Sequence, residues 1–148
     1  MKRAYLLILL LTSLSIQEMY GSKVRTISSN EGLSNNAVYC IHQDDYGQLY
    51  LGTADGLNIW NGHSIELFMA KDGFNHFAGN TIREIHSTRQ GKLILQTNYG
   101  IARVDPLKRE VDFYKDLGFS RKTAVTDDGN IYTVDSNMHL RYLEVESG

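Results

Sequence analysis

One cysteine and one proline stand in the whole of 148 residues, and both scarcities narrow the reading. Cys40 has no partner for an intramolecular disulfide. It lies in the apolar run Val38 to Ile41, so it is expected to be a small buried hydrophobe. Pro106 follows Asp105 in a turn, where its missing N–H removes no ladder bond. Charge of one sign is also lacking: 15 Lys and Arg against 17 Asp and Glu leave a net charge of −2, with no basic cluster. Nucleic acid and anionic membrane are therefore poor partners. No His-x-x-x-His or Cys-x-x-Cys spacing occurs, and no nucleophile elbow, phosphate loop or catalytic triad signature. Neither a metal, a cofactor nor catalysis is expected of this chain. No amphipathic helix of useful length follows the first 22 residues.

Long hydrophobic runs are missing too, apart from one short run at the start. Lys2 and Arg3 precede Ala4 to Leu11, and the run extends to about Ile16 with Thr12 and Ser13 inside it. It is too short for a membrane span and has the size of a signal-peptide core. Residues 1–22 are read as an export signal, with Ser13-Leu14-Ser15 or Gly21-Ser22 at the cleavage site. A buried strand or core helix is the alternative, and the Lys-Arg pair ahead of the run argues against it. Export without disulfides suits a bacterial envelope, so a periplasmic location is expected.

What the chain does have is a degenerate repeat. Asp-Asp-Tyr-Gly-Gln-Leu-Tyr-Leu-Gly-Thr at 44–53 leads into Ala-Asp-Gly-Leu-Asn-Ile-Trp at 54–60. Arg-Gln-Gly-Lys-Leu-Ile-Leu-Gln-Thr at 89–97 leads into Asn-Tyr-Gly-Ile-Ala-Arg-Val at 98–104. Ile41 and Ile85, Gly47 and Gly91, Leu51 and Leu95, Thr53 and Thr97, and Gly56 and Gly100 all stand 44 positions apart. In a third, shorter copy, Gly129, Ile131 and Arg141 follow Gly91, Leu93 and Arg103 at an offset of 38. Repeats of roughly 40–45 residues filled with short strands indicate propeller blades.

Each of the first two copies divides into four strands. Val38 to Gln43, Gln48 to Thr53, Leu57 to Trp60 and Ser64 to Phe68 are separated by turns at Asp44–Gly47, Asp55-Gly56 and Asn61-Gly62. In the second strand, Leu49, Leu51 and Thr53 share one face and Tyr50 takes the other. Asp-Gly and Asn-Gly supply the positive φ that hairpins require. The second copy gives Thr81 to Ser87, Lys92 to Thr97, Ile101 to Val104 and Glu110 to Tyr114. The third gives Thr123 to Val125, Asn130 to Val134 and Leu140 to Val145. The mature chain, 23–148, is read as an all-β, incomplete β-propeller. Blade one is placed at about 33–68, blade two at about 78–114 and blade three at about 122–145. A blade buries its faces against neighbours and closed propellers have four to eight, so three blades leave two open faces. Leaving them open costs an amount comparable to the stability of a small domain, so more blades are expected from elsewhere.

The stretch Gly32-Leu33-Ser34-Asn35-Asn36-Ala37-Val38, then Ile41, Gln43-Asp44, Gly47, Leu49, Leu51-Gly52-Thr53, Asp55-Gly56-Leu57-Asn58 and Asn61-Gly62, resembles the two-component-regulator propeller repeat. The resemblance is specific over 31–68, moderate over 78–114 and weak beyond. Tyr50, Ile59 and Asn61 depart from the residues usual there (Trp, Arg and Asp). It implies the N-terminal part of a periplasmic sensor of a Bacteroidetes hybrid two-component system. In such a parent, two propellers and a β-sandwich precede a membrane span, a histidine kinase, a receiver and a DNA-binding domain. The resemblance also implies an oligosaccharide ligand, and partners in the remaining blades, the kinase and a homodimer formed through the parent. A propeller lyase of the streptogramin-inactivating type and a non-signalling binding propeller are the alternatives.

Ligand sites on propellers form from loops at one mouth of the central channel. The loop entering a blade's first strand and the loop between its second and third emerge on one face. Those loops carry Ser34, Asn35, Asn36 and Asp55 in copy one, and Asn80, Asn98 and Tyr99 in copy two. Amides and a carboxylate can hydrogen-bond sugar hydroxyls, and Tyr99 can stack on a ring. Asn and Asp also satisfy local backbone groups in turns, which explains the same residue types without a ligand. The histidines His42, His63, His76, His86 and His139 include one repeat-equivalent pair, His42 and His86. Asp44-Asp45 and Asp127-Asp128 each precede a glycine turn and are read as hairpin caps. Trp60, Tyr39, Tyr50 and Phe68 are expected in the packing between blades.

Overall fold

Short β-rich segments punctuated by Gly turns can satisfy their backbone only by pairing with the next segment, and the eleven strands of the described residues do this in eight antiparallel pairings. The computed structural model describes residues 24–73 and 80–145. The export signal expected at 1–22 and His76 lie outside them. The first sheet runs in the order β1 (Val38–Gln43), β2 (Leu49–Thr53), β3 (Gly56–Trp60), β4 (Ile65–Leu67). The second is β5 (Ile82–Ser87), β6 (Leu93–Thr97), β7 (Ile101–Asp105), β8 (Glu110–Tyr114). The third has three described strands, β9 (Ser120–Val125), β10 (Ile131–Asp135) and β11 (Leu140–Leu143). All pairings are antiparallel. The expected all-β architecture of successive blades is therefore present. The ninth strand starts three residues earlier than the sequence suggested, and the last ends at Leu143 rather than Val145.

The repeat is a repeat of turns as much as of strands. Asp44, Thr88 and Thr126 open the first turn of each sheet, accepting from the amides of Gln48, Lys92 and Asn130 through their side-chain oxygens at 2.9, 3.3 and 3.1 Å. Gly47, Gly91 and Gly129 take the left-handed position in these turns, with φ of 83°, 74° and 95°. Thr53 and Thr97 build the second turn: each hydroxyl accepts from the amide two residues on and donates to the carbonyl three residues on. In the third sheet Asp135 takes this place, and its Oδ1 accepts from the amides of Asn137 and His139.

That substitution lengthens the turn by one residue and corrects the offset read from sequence. Ile94 pairs with Arg103, whereas Tyr132 pairs with Tyr142. The structural counterpart of Arg103 is thus Tyr142, and Arg141 pairs with Thr133 instead.

Neighbouring sheets bury both faces of the middle one. Tyr50, Leu57 and Phe68 of the first sheet pack on Ile82, Ile85, Leu93, Leu95, Ala102 and Val104. Ile94 and Ile101 pack the opposite way, with Leu117 and Ile131 of the third sheet's side. Strand β6 is consequently buried at all five positions, as a strand sandwiched between two layers must be. Each fully buried aliphatic side chain there contributes about 2 kcal/mol. Buried Gln96 is polar but satisfied: its Nε2 donates to the Ser120 carbonyl at 2.5 Å and its Oε1 accepts from Thr123 Oγ1 at 2.8 Å.

Two aromatic expectations need correction. Tyr50 and Phe68 are core residues, but Tyr39 is half exposed and Trp60 is only partly buried, with Arg25 6.0 Å above its ring. Ile41, on the same strand as Tyr39, is also exposed. Cys40 is half-buried against the interface of sheets one and two, where burial pushes its thiol up to about 11.

Candidate functional site at one end of the sheets

The loop entering β1 is held by side-chain bonds that reach far in sequence. Leu33 is buried, and beside it Ser34 is clamped onto Asn58, a fully buried amide. The Ser34 amide donates to Asn58 Oδ1 at 3.0 Å, Asn58 Nδ2 donates to Ser34 Oγ at 2.8 Å, and the Ser34 and Thr53 hydroxyls stand 2.8 Å apart. Ser34 and Asn58 therefore fix the loop onto β2 and β3. Asn36 is likewise committed, accepting from the Ser29 amide at 2.7 Å.

Asn35 and Asp55 meet. Asn35 Nδ2 donates to Asp55 Oδ2 at 2.8 Å while its Oδ1 accepts from the Ala37 amide. Thr81 Oγ1 donates to the Ala54 carbonyl at 3.2 Å, which brings the entry to β5 against the β2–β3 turn of the first sheet. Asn80 precedes it with φ of 45° and is exposed. Asn98 Oδ1 accepts from Arg83 Nε at 2.6 Å, and the Arg83 guanidinium lies 5.3 Å from the centre of the Tyr39 ring. Tyr99 is 62% exposed beside this pair.

The structure thus joins Asn35 to Asp55 directly and places the Asn80–Thr81 entry next to them. Asn98 is held in a separate pair with Arg83. Tyr99 adjoins that second pair by sequence. Arg83 and Tyr39 were missed: Arg83 was not singled out, and Tyr39 was expected in the packing between blades. Their signal was available in the repeat, since both follow the site's loops on the first strand of a sheet. Asn35 with Asp55 presents amide and carboxylate groups, and Arg83 with Asn98 presents guanidinium and amide groups beside the Tyr39 ring.

Other concentrations of polar groups have structural explanations. Asp44 caps a turn, and the acceptor bonds from Thr126 and the local backbone hold Asp128 below its ordinary value. Asp127 pairs with Arg89 across neighbouring sheets at 2.5 Å. Among the described residues no group of three or more His, Cys, Asp or Glu is placed to share a metal ion. His42 and His86 each carry a buried Nε2 without a hydrogen bond. A concavity of about 400 Å³ lies among Tyr46, Gln48, Leu49, Trp60 and Asn61. Its walls Leu49 and Trp60 correspond to Leu93 and Val104, which in the second sheet are packed against a neighbouring sheet. That concavity is a packing surface by position.

Residues 32–55 match the family model of the two component regulator propeller. A segment of 38 residues, 26% of this chain, is 47% identical to Histidine kinase P4 of Formosa agariphila and spans 3% of that protein. Among solved structures, an extracellular domain assigned to a hybrid two component system of B. thetaiotaomicron superposes with a TM-score of 0.62 at 21% identity, over 84% of this chain and 19% of that one. A second extracellular domain, assigned to a one component system of the same organism, gives 0.59 at 15% identity, over 82% and 18%. At these identities the likeness is one of fold. The chain spans about a fifth of the length of the extracellular domains it matches.

Proposed function

Because the chain carries the two-component-regulator propeller repeat, we propose that it is the N-terminal sensing segment of an exported hybrid two-component sensor. Its ligand is an oligosaccharide, taken at the loop cluster of Asn35, Asp55, Asn80, Arg83, Asn98 and Tyr99. The observation that carries the reading is the coincidence of the family repeat at 32–55 with the loop holding Asn35 against Asp55. The solved likenesses being extracellular domains supports export, and among the described residues no helix is long and apolar enough to cross a membrane.

The chain itself does no chemistry in this reading. A ligand bridging the loops of adjacent blades changes their relative arrangement, and a kinase beyond the membrane reports the change; the differential affinity for the two arrangements sets the size of the response. The propeller lyase is the weaker reading, because it needs histidines with a divalent ion at the channel mouth. His42 and His86 lie on the first strands of their sheets, and among the described residues no group of three or more His, Cys, Asp or Glu is placed to share a divalent ion.

The test is calorimetric titration of the complete extracellular domain with a panel of plant and host-glycan oligosaccharides. Saturable binding to one class, weakened at least tenfold by Tyr99→Ala or Asp55→Ala, supports the proposal. Failure of every oligosaccharide, or magnesium-dependent turnover of a lactone antibiotic, would overturn it.

A further inference from the structure

The first strand of each sheet carries one residue more than its partner strand, and at the same place. Val38 pairs with Thr53 and Cys40 with Gly52; Ile82 pairs with Thr97 and Glu84 with Gln96; Ser120 pairs with Asp135 and Lys122 with Val134. Tyr39, Arg83 and Arg121 are the extra residues of these three bulges. Thr53, Thr97 and Asp135 open equivalent turns, so the bulges are equivalent too. A bulge re-aims its extra side chain out of the regular alternation. All three residues are exposed, although Ile82 and Ser120 beside two of them are fully buried. Their strands are neighbours across the sheets, with β5 next to both β1 and β9. One tyrosine and two arginines are thus set at the same level on adjacent strands, at the end where Asn35 meets Asp55 and Asn98 holds Arg83.

Among the described residues, the charges of these two arginines are uncompensated. Arg89, Arg103 and Arg109 each pair with a carboxylate. Arg83 and Arg121 pair with none. Glu84, next to Arg83 in the chain, is taken by Lys122 Nζ at 2.9 Å and by the Thr123 amide at 3.3 Å. Arg83 is also held in place from within: its Nε donates to Asn98 Oδ1 at 2.6 Å and its guanidinium lies 5.3 Å from the centre of the Tyr39 ring. That leaves its two amino groups for a ligand. A fixed planar fork matches a carboxylate or a sulfate with two parallel hydrogen bonds and loses little further freedom on binding.

We propose that Arg83 and Arg121, with Tyr39 bracing Arg83, select for negative charge, so that the oligosaccharide of this site is an acidic one carrying carboxylates or sulfate esters. The inference rests on the reading of the site as an oligosaccharide receptor. An anion relieves the two unpaired positive charges and a neutral sugar does not, which makes the discrimination electrostatic. The Asn35–Asp55 pair is left to take hydroxyls of the same ligand.

Titration calorimetry on the complete extracellular domain tests this with matched ligands. A galacturonate tetrasaccharide is set against its methyl ester, and a sulfated galactan tetrasaccharide against its desulfated form. The acidic member of at least one pair is expected to bind at least tenfold tighter than its neutral counterpart, and less tightly as salt is raised. Which pair responds separates carboxylate from sulfate. Arg83→Gln and Arg121→Gln should each weaken the acidic ligand about tenfold, and Arg121→Lys should weaken it less. Neutral ligands bound as tightly as acidic ones, or acidic binding unmoved by Arg121→Gln, would overturn this inference and leave the sensor reading standing. Binding of no oligosaccharide of either kind would overturn both.

Discussion

Met138 occupies the left-handed backbone position that Gly47 occupies in an equivalent turn. In both turns an aspartate side chain accepts from the amides two and four residues on, the third residue donates its amide to the aspartate carbonyl, and the aspartate amide donates to the carbonyl of the fourth. Gly47 adopts φ of 83° without a Cβ to strain, whereas Met138 adopts 66° with its side chain 70% exposed. Met138→Gly is therefore expected to stabilise the protein by about 1 kcal/mol, the cost of a side chain in that region. Chemical denaturation reads it as a rise in midpoint with an unchanged slope.

Gly52 makes the opposite case, since there the absence of a side chain is required by packing. A Cβ at Gly52 would come within 2.4 Å of Cys40 Sγ and 2.8 Å of Ile82 Cγ2. Gly52→Ala should cost about 1–3 kcal/mol through overpacking at the interface of the first two sheets. Adding Cys40→Ala should recover part of the loss and not all, because the Ile82 contact persists. The double-variant cycle gives the coupling.

Asn58→Ala tests the clamp under the candidate site. It leaves the part-buried Ser34 amide without its partner and takes from the Ser34 hydroxyl one of its two, the Thr53 hydroxyl remaining, at a cost of about 1–3 kcal/mol. The loop holding Asn35 should exchange its amides faster as a consequence. An unchanged exchange rate would mean that Ser34 is held by other contacts.

His42 provides a pH dependence with a definite sign. Burial, then the neighbouring His86, holds its imidazole below the ordinary value, against the opposing pull of Asp44 and Asp45. The folded state then binds fewer protons than the unfolded chain in the window just below pH 6.5. Stability is fully present above that value and declines as the pH falls through the window. His42→Gln should flatten this slope in denaturation midpoints taken between pH 7.5 and 5.5. The low carboxylates Asp128 and Asp135 act at more acidic pH and leave the window clear.

Much of the fold was legible because the repeat encodes turns locally. Val38–Gln43 and Glu110–Tyr114 coincide with the strands expected, since Asp44-to-Gly47 and Asp105-Pro106 mark their boundaries. The third sheet's register was not legible, because Asp135 and Met138 rebuild a turn type that the other copies use elsewhere. The candidate site was legible only as residue types in loops. The bonds joining Ser34 to Asn58 and Asn35 to Asp55 span 24 and 20 residues, and nothing in local pattern reports them. Tyr39 misled because aromatic content in a strand signals burial only where another layer covers that face.

Sequencing the coding region beyond codon 148 tests the central claim most directly. The account predicts further repeats of 38 to 44 residues, then a membrane span and a histidine kinase in the same reading frame. A stop codon with no blades or kinase following would contradict it, and the sensor function would have to be withdrawn.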